Sequence, residues 1–328
     1  MIDRNRRALL LAGASTSLAG LVPAAALAQS DYPTKPIRIV VPFPAGGATD
    51  IVARLVGEKM SKEFGQAVVV ENRGGAGGQV GAEAVQRAAN DGYTLLVTNT
   101  GFLQAPLLAT KPIYDPVKDF EAVSQLNLAP NSFVINPALP ANNLQEFIAL
   151  VKREPKKHSF GSGGIAQTLH LFGEMLNKAA GLDMVHAPFQ GEVLAVNAIL
   201  AGQVSCSFIT VASSQAQIKA GKLRALGVTG PTRTSLLPDV PTFKEQGYPQ
   251  FDAVGWYGML APAGTPKAIV DKLSRAAAAA IRQPDVSSRL NDLALTPVGS
   301  TADEHAAAIR RGLVEWKSIM TVTGMMPK

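Results

Sequence analysis

The feature that most constrains the fold is an alternation of β-branched runs with helical patterns, joined by glycine-rich turns. Ile37–Val41 is a β-branched run, and a turn rich in Pro and Gly separates it from a helical pattern over 49–64. Strands are then predicted at 67–71 and 93–98, with a helix at 78–89 between them. Strands that alternate with helices in this way predict an α/β fold with a mostly parallel sheet.

The second half of the chain repeats this alternation. An extended apolar stretch over 123–136 leads into a helix over 144–153, and a strand at 159–160 precedes another glycine-rich turn and a helix over 168–180. The further predicted strands lie at 184–189, 204–210, 223–228, 256–262 and 295–298. The further predicted helices lie at 194–201, 214–220, 266–281 and 302–320. A second α/β unit is therefore expected.

The N-terminus has the arrangement of a cleavable export signal. Three arginines precede an apolar run over 8–21, and small residues follow in Ala26-Leu27-Ala28. The run is shorter than the roughly 20 apolar residues that span a bilayer, so a retained membrane anchor is the weaker interpretation. We expect removal of residues 1–28 and a periplasmic product. The adjacent Arg6 and Arg7 also resemble a twin-arginine signal, and the general secretory route stays open.

Composition narrows the classes of partner. Removal of the signal would leave 300 residues, enough for two domains at ~100–200 residues each, and no second long apolar run, so no membrane-embedded segment is expected. The net charge of +6 would fall to about +4, and no basic cluster with interleaved aromatics is present, so nucleic acid is not an expected partner.

Cys206 is the only cysteine, so no intramolecular disulfide can form.

Two glycine-rich turns are the strongest local signals. The first is Val41-Pro42-Phe43-Pro44-Ala45-Gly46-Gly47-Ala48-Thr49-Asp50, and the second is Phe160-Gly161-Ser162-Gly163-Gly164-Ile165-Ala166-Gln167-Thr168-Leu169-His170. Each joins a strand end to a helix start, where unpaired amides and the helix dipole favour an anion. Simple capping of the helix by Thr49 or Asp50 is the alternative for the first turn. Both turns follow strands, so they are expected to face one cleft.

The sequence gives little support for an enzyme active site. Ser162 lies between Gly161 and Gly163 and not in a G-x-S-x-G elbow. The four histidines show no metal-ligand spacing. The run Gly74-Gly75-Ala76-Gly77-Gly78-Gln79-Val80-Gly81 has Val80 where a dinucleotide fingerprint needs its third glycine. No enzymatic activity, metal or cofactor is expected.

The ordered motifs resemble the Bug-type extracytoplasmic solute receptors of tripartite tricarboxylate transporters, over nearly the whole chain after the signal. The motifs that carry the resemblance are Pro42-Phe43-Pro44-Ala45-Gly46-Gly47 with Asp50, Val70-Glu71-Asn72-Arg73-Gly74-Gly75-Ala76-Gly77-Gly78, Asp91-Gly92-Tyr93-Thr94-Leu95-Leu96, Gly161-Ser162-Gly163-Gly164 with His170-Leu171, Gly221-Lys222-Leu223-Arg224-Ala225-Leu226, Leu237-Pro238-Asp239-Val240-Pro241-Thr242, Trp256-Tyr257-Gly258 and Ala261-Pro262-Ala263-Gly264-Thr265-Pro266.

The resemblance implies a type II periplasmic-binding-protein fold, in which two α/β lobes joined by two crossing segments close over a ligand. Lobe 1 would comprise 29–125 and 258–328, and lobe 2 would comprise 126–257. The protein would be a monomer that clamps a small carboxylate and delivers it to the membrane subunits of a transporter. A receptor that instead feeds a membrane sensor kinase is the alternative, and gene neighbourhood would separate the two.

The resemblance also assigns ligand-binding residues to the two turns and the neighbouring strand ends. These residues are Phe43, Ala45, Gly46, Gly47, Ala48, Thr49, Asp50, Thr98, Asn99, Ser162, Gly163, Gly164, Ile165, Ala166, Gln167, His170, Gln190 and Gly191.

Three departures from the family pattern concern the ligand. Gln190 stands where the family commonly has Lys or Arg, Glu192 where it commonly has a small residue, and Ser205 where many members have Asp. Glu192 is the one nearby acid that could pair with an ammonium group of a ligand, and a surface carboxylate in the first turn of a helix is the other interpretation. We favour the surface position, so the sequence predicts a carboxylic acid without an amino group, and Glu192 as an ammonium partner stays the alternative.

Overall fold

The computed structural model describes residues 32–43, 45–164, 168–189, 192–252 and 254–326. The predicted signal segment 1–28 lies outside these residues. Within the described ranges, no helix is both long and apolar enough to cross a membrane.

Strands and helices alternate along most of the chain. The strands are β1 (Ile37–Val41), β2 (Val68–Asn72), β3 (Thr94–Asn99), β4 (Phe120–Ala129), β5 (Asn131–Ile135), β6 (Ser159–Ser162), β7 (Val185–Pro188), β8 (Cys206–Thr210), β9 (Arg224–Val228), β10 (Gly255–Pro262) and β11 (Thr296–Pro297). The helices are α1 (Ala48–Phe64), α2 (Gln79–Gln86), α3 (Gly101–Leu107), α4 (Leu144–Arg153), α5 (Thr168–Ala180), α6 (Glu192–Leu200), α7 (Val211–Lys219), α8 (Lys267–Arg282), α9 (Pro284–Asp292) and α10 (Ala302–Val322).

The first sheet has six strands in the order β11-β4-β10-β3-β1-β2. Strands β1, β2 and β3 are parallel, with Ile39 in register with Val70 on one side and Leu95 on the other. Strands β10 and β4 continue the sheet in antiparallel pairing. The apolar side chains of β1 are fully buried, which explains its continuous β-branched run: both faces of the strand are covered.

The second sheet has five strands in the order β7-β6-β8-β5-β9. Strand β6 runs parallel to β7 and β8, and β5 runs antiparallel to β8 and β9. The lone cysteine, Cys206, is buried in β8, in agreement with its interpretation as a small core residue. The prediction of an α/β fold with two units is confirmed.

Two crossing segments join the sheets. Only Pro130 separates β4 of the first sheet from β5 of the second, and the chain returns through residues 229–254 to β10. The two crossings leave the second sheet side by side, because the Thr229 amide, just after β9, donates to the carbonyl of Asn131, the first residue of β5, at 2.8 Å and the Asn131 amide donates to the Thr229 hydroxyl at 3.1 Å. The lobe boundaries predicted at 125/126 and 257/258 fall inside β4 and β10. Because both strands belong entirely to the first sheet, we propose that the chain crosses between the lobes at Pro130 and at 229–254.

The C-terminal helix contacts both halves of the molecule. Helix α10 packs on β4 and α3 of the first half and also reaches α5 of the second. The ring of Trp316 on α10 lies 5.7 Å from that of Phe172 on α5, and both rings belong to one buried cluster. This cluster includes Leu96 from the first sheet and Phe133 from the second, so the apolar core is continuous between them.

Two helices were not predicted. Helix α3 is only 7 residues long and contains Gly101 and Pro106, which are poor helix formers. Helix α9 begins at Pro284, directly after the end of α8, where a proline is compatible with the first helical position. Because α3 contributes to the cleft, its absence from the prediction removed part of the site.

The packing of α5 on β6 gives a test of the second half of the fold. A Cβ added at Gly173 would lie 2.1 Å from Cε2 of Phe160, whereas one added at Gly57 of α1 would lie 3.3 Å from Cγ1 of Val68. We expect Gly173→Ala to lower the free energy of unfolding by about 1–3 kcal/mol through overpacking, despite the better helix propensity of Ala. Gly57→Ala is the matched control and should change it little. Equal urea midpoints for the two variants would contradict this packing.

Candidate functional site

A cavity of about 670 Å³ lies between the two sheets. The residues that line it are Phe43, Ala76, Gly77, Gln79, Asn99, Thr100, Gly101, Gln104, Ala105, Leu108, Ala109, Ala129, Asn131, Thr168, Leu169, Glu192, Thr210, Gly255, Trp256 and Tyr257. Both halves contribute: α3, β4 and β10 from the first sheet side, and the starts of α5 and α6 with the end of β8 from the second. The cleft predicted from the two glycine-rich turns therefore exists, with a wall that differs from the predicted one.

Three helices of eight or more residues begin at this cavity. Gln79 starts α2, Thr168 starts α5 and Glu192 starts α6, and all three residues line the wall. A helix start carries about half a positive charge and unpaired amide donors. The cleft is therefore suited to an anionic group without a lysine or arginine side chain in its lining.

Among the described residues of the first predicted turn, which leave out position 44, Phe43 alone lines the cavity. Ala45, Gly46 and Gly47 are exposed and Ala48 is partly buried. Thr49 is buried under the turn. The part of this turn that follows Phe43 therefore lies beside the cavity rather than in its lining, and its contact with a ligand stays a prediction.

Asp50 organises that turn from within. Its carboxylate accepts hydrogen bonds from the Gly46 amide at 2.9 Å, Arg54 Nε at 3.0 Å and Asn72 Nδ2 at 2.9 Å. Burial opposes ionisation, but the bonds from Arg54, Gly46 and Asn72 outweigh it and hold the pKa of Asp50 below its ordinary value. The Gly46 amide, predicted as a ligand donor, therefore donates to Asp50 in this structure, and Asp50 stabilises the turn; ligand binding by either residue stays a prediction.

The second predicted turn is partly outside the described residues. Ile165, Ala166 and Gln167 lie outside them, as do Gln190 and Gly191. Ser162 and Gly163 are buried behind the wall, and Thr168, the residue after this turn, lines the cavity. The second turn therefore leads to the cleft, as predicted, through a residue one position beyond the predicted set.

His170 forms part of a ring stack. Its ring lies 3.6 Å from that of His186, which in turn stacks on Phe160 at 4.9 Å. Burial and the neighbouring His170 lower the pKa of His186 to about 4, so His186 is neutral at physiological pH. Nε2 of His186 lies 2.7 Å from the Ser162 hydroxyl. Because Ser162 is fully buried and does not line the cavity, this contact does not present a nucleophile to the cleft.

Of the two strand-end residues predicted at β3, only one reaches the cavity. Asn99 lines it, and its Oδ1 accepts a hydrogen bond from the Gly101 amide at 2.9 Å. Thr98 is buried within the sheet, opposite Gly258 of β10. Thr98 was wrong as a wall residue because alternate residues of a strand point to opposite faces.

Several wall residues were missed. Ala76 and Gly77 belong to a short 3₁₀ turn with positive φ angles, inside a glycine run that was considered as a dinucleotide fingerprint and as a family motif but not as part of the site. Tyr257 belongs to a motif quoted only for the family resemblance. A glycine run after β2, at the same sheet edge as the turn after β1, was the signal that could have placed Ala76 and Gly77 at the cleft.

The two halves also touch across the cavity. Gln104 of α3 and Thr168 of α5 exchange hydrogen bonds: Gln104 Nε2 lies 2.9 Å and Oε1 lies 3.0 Å from the Thr168 hydroxyl. Both residues line the cavity. A polar bridge therefore spans the cleft on the α3 side.

Glu192 is a cavity residue, and its interpretation as a surface carboxylate was wrong. It is partly buried, it lines the cavity, and its carboxylate accepts a hydrogen bond from the Thr210 amide, with the hydroxyls of Thr210 and Ser213 nearby. Burial raises the pKa of Glu192 despite these bonds. Burial, followed by the charge of Glu192, raises the pKa of nearby Tyr257 to about 12.

Ser205, the other position considered for an acid, lies away from the cleft. It precedes β8, whereas the cavity is at the end of that strand, at Thr210. Its hydroxyl pairs with Nδ1 of His158 at 2.9 Å. An acid at position 205 would therefore not have reached a ligand in this cavity.

Comparison with known proteins establishes the family. The protein-family model described as the tripartite tricarboxylate transporter family receptor matches residues 52–325 of this chain. The chain belongs to this family. BugT of Bordetella pertussis is 33% identical over 320 residues, which cover 97% of this chain and 98% of BugT. The predicted Bug-type receptor is confirmed.

Solved structures share the fold. The periplasmic binding protein BugD has 36% sequence identity and a TM-score of 0.76, over 90% of this chain and 100% of BugD. MatC from Rhodopseudomonas palustris, solved with bound malate, has 33% identity and a TM-score of 0.74, over 88% of this chain and 99% of MatC. The predicted periplasmic-binding-protein fold is confirmed, and the family is one of solute receptors. Among the described residues, no group of three or more metal-ligating side chains lies together.

The buried carboxylate of Glu192 predicts a cost in stability. When folding raises the pKa of an acid, the free energy of unfolding falls as the pH rises from the ordinary value, 4.5 for Glu, through the raised one. Without ligand at pH 7, we expect Glu192→Gln to melt about 2–4 °C above wild type, which corresponds to about 1 kcal/mol. The difference should vanish below about pH 4, where both proteins are neutral at this position.

Differential scanning calorimetry between pH 4 and pH 8 would measure this. Glu83→Gln on α2 is the control, since Glu83 forms a surface ion pair with Arg87, and such pairs contribute about 0–1 kcal/mol. A Glu192→Gln protein no more stable than wild type at pH 7 would show that the buried charge has no cost.

Proposed function

We propose that the protein is an exported receptor that binds a small carboxylate between its two lobes and delivers it to the membrane subunits of a transporter. The observation that carries the proposal is the cavity between the sheets, onto which three helix starts converge. Helix starts stabilise an anion through aligned amides and dipoles. Membership of a transporter-receptor family and the malate bound by the relative MatC support the same assignment.

The size of the cavity fits this class of ligand. A volume of about 670 Å³ is within the ~300–1,000 Å³ of typical small-molecule sites. Each helix start contributes only about 0.3–1 kcal/mol when exposed and up to ~2 when partly buried, so tight binding needs several starts and exclusion of water. Closure of the two lobes over the ligand would supply that exclusion.

Filling the cavity tests the assignment. We expect Ala105→Trp, in the α3 wall, to weaken carboxylate binding at least tenfold, because the indole would occupy ligand space. Ala216→Trp on the exposed face of α7 is the matched control and should bind like wild type. Isothermal titration with a series of mono- and dicarboxylates would measure this, and uptake in a receptor-deletion strain would test delivery. Unchanged binding by Ala105→Trp would place the ligand elsewhere.

Lobe closure is a second expectation. The ligand would bridge walls from both halves, and between the described strands of the two sheets the chain crosses at Pro130 and again through 229–254. Small-angle scattering should show a smaller radius of gyration with saturating carboxylate than without it. Ala105→Trp under the same conditions should show no decrease. A wild-type protein that binds without any change in dimensions would contradict the clamp.

A further inference from the structure

Glu192 is the one charged residue among the described residues that line the cavity. The neighbouring positions outside the described ranges add no charge, since they are Ile165, Ala166, Gln167, Gln190 and Gly191. A receptor for carboxylates thus presents a carboxylate of its own to the ligand.

The carboxylate is held in place but not neutralised. Its hydrogen-bond donor is the backbone amide of Thr210, and the hydroxyls of Thr210 and Ser213 lie nearby, so the groups that contact it are uncharged. No lysine, arginine or histidine within the described part of the chain forms an ion pair with it. Thr210 is itself anchored as the residue that caps α7. The position of the negative charge is therefore preorganised.

The charges of the cavity disfavour a purely anionic ligand of high charge. A dicarboxylate would bring two negative charges into a closed space that already contains the carboxylate of Glu192. Only the partial positive charges of three helix starts would then compensate three negative charges. Burial of like charges without a cation is strongly unfavourable. A ligand that carries one cationic nitrogen would pair with Glu192 and leave its carboxylate for the helix starts.

We propose that Glu192 selects carboxylates that also carry a protonated or quaternary nitrogen, so that the ligand is an amino-acid-like zwitterion rather than a simple organic acid. This inference rests on the proposed function, and it replaces the expectation of a ligand without an amino group. The nitrogen would lie between Glu192 and Tyr257, whose phenol shares this part of the wall and can contact a cation with its ring.

A protonated Glu192 that donates a hydrogen bond to a ligand carboxylate is the competing arrangement. Glutamine distinguishes the two, because its amide can still donate to a carboxylate but cannot neutralise a cation. Glu192→Gln therefore retains binding of simple acids under either arrangement and loses zwitterions only if the ionised carboxylate is their partner.

The experiment uses pairs of acids that differ in one amino group: propionate and β-alanine, butyrate and 4-aminobutyrate, succinate and aspartate, glutarate and glutamate, and adipate and 2-aminoadipate. Isothermal titration on the mature wild-type protein should show at least tenfold tighter binding of the aminated member of the pair that fits. Glu192→Gln should weaken that member at least tenfold and leave its unaminated partner unchanged or tighter, which also shows that the variant is folded. Glu83→Gln should retain the wild-type preference.

The experiment distinguishes failure of this inference from failure of the proposed function. Tighter binding of the unaminated acids by wild type, whether or not Glu192→Gln affects it, would overturn the inference and leave the carboxylate receptor intact. Aminated acids bound equally by wild type and Glu192→Gln would also overturn it. Absence of binding by every acid of the series would count against the proposed function, and the inference would fall with it.

Discussion

The hydrogen bonds between Asn131 and Thr229 hold the two crossings together where they leave the second sheet, at the edge of the cleft. Asn131 begins β5 and Thr229 follows β9, and each donates its amide to the other residue, at 3.1 and 2.8 Å. The same point receives β10, whose Trp256 amide donates to the Thr100 hydroxyl at 2.9 Å. Because Asn131, Thr100 and Trp256 also line the cavity, the segments that join the lobes are part of the floor of the site. A change of angle at this point is transmitted directly to the ligand walls.

The cleft combines weak, distributed positive potential with one fixed negative charge. The helix starts at Gln79, Thr168 and Glu192 provide the positive part through backbone groups, which no side-chain substitution removes easily. The negative part depends on the single side chain of Glu192. Under the proposed function, the fold would supply affinity for a carboxylate in general, whereas one residue would determine which carboxylates are accepted. The predicted cost in stability of burying that side chain would then be a trade of stability for selectivity.

The sequence predicted the regular elements well, because their patterns are local. Strand β1 and helices α4 and α5 have the predicted bounds, and the alternation alone indicated the two-sheet architecture. The site was predicted less well. Phe43 and Asn99 line the cavity as expected, but Asp50 turned inward to hold its own turn, and Glu192 turned toward the cleft instead of the solvent. Such orientations depend on contacts between segments far apart in the chain, which periodicity does not encode.

The wall from α3 was missed for a related reason. A seven-residue helix with a glycine and a proline has too little intrinsic preference to be recognised, and it forms because Phe102 and Leu103 are buried in the shared core. Its Gln104 then meets Thr168 of the other half. Tertiary packing, not local propensity, thus produced both the helix and its role in the cleft.

The long C-terminal helix would limit the directions in which the two halves can rotate about the proposed hinge. Trp316 keeps α10 against Phe172 of the second half, while the rest of the helix lies on β4 and α3 of the first. A covalent hinge at Pro130 alone would allow the halves to rotate about several axes. Because α10 packs on both halves, it would permit only rotations that preserve its contacts with each of them. In the proposed closure, the halves would therefore rotate mainly about one axis rather than twist freely. A ligand would not have to select among many relative orientations, so less orientational entropy would be lost on closure than with a free hinge.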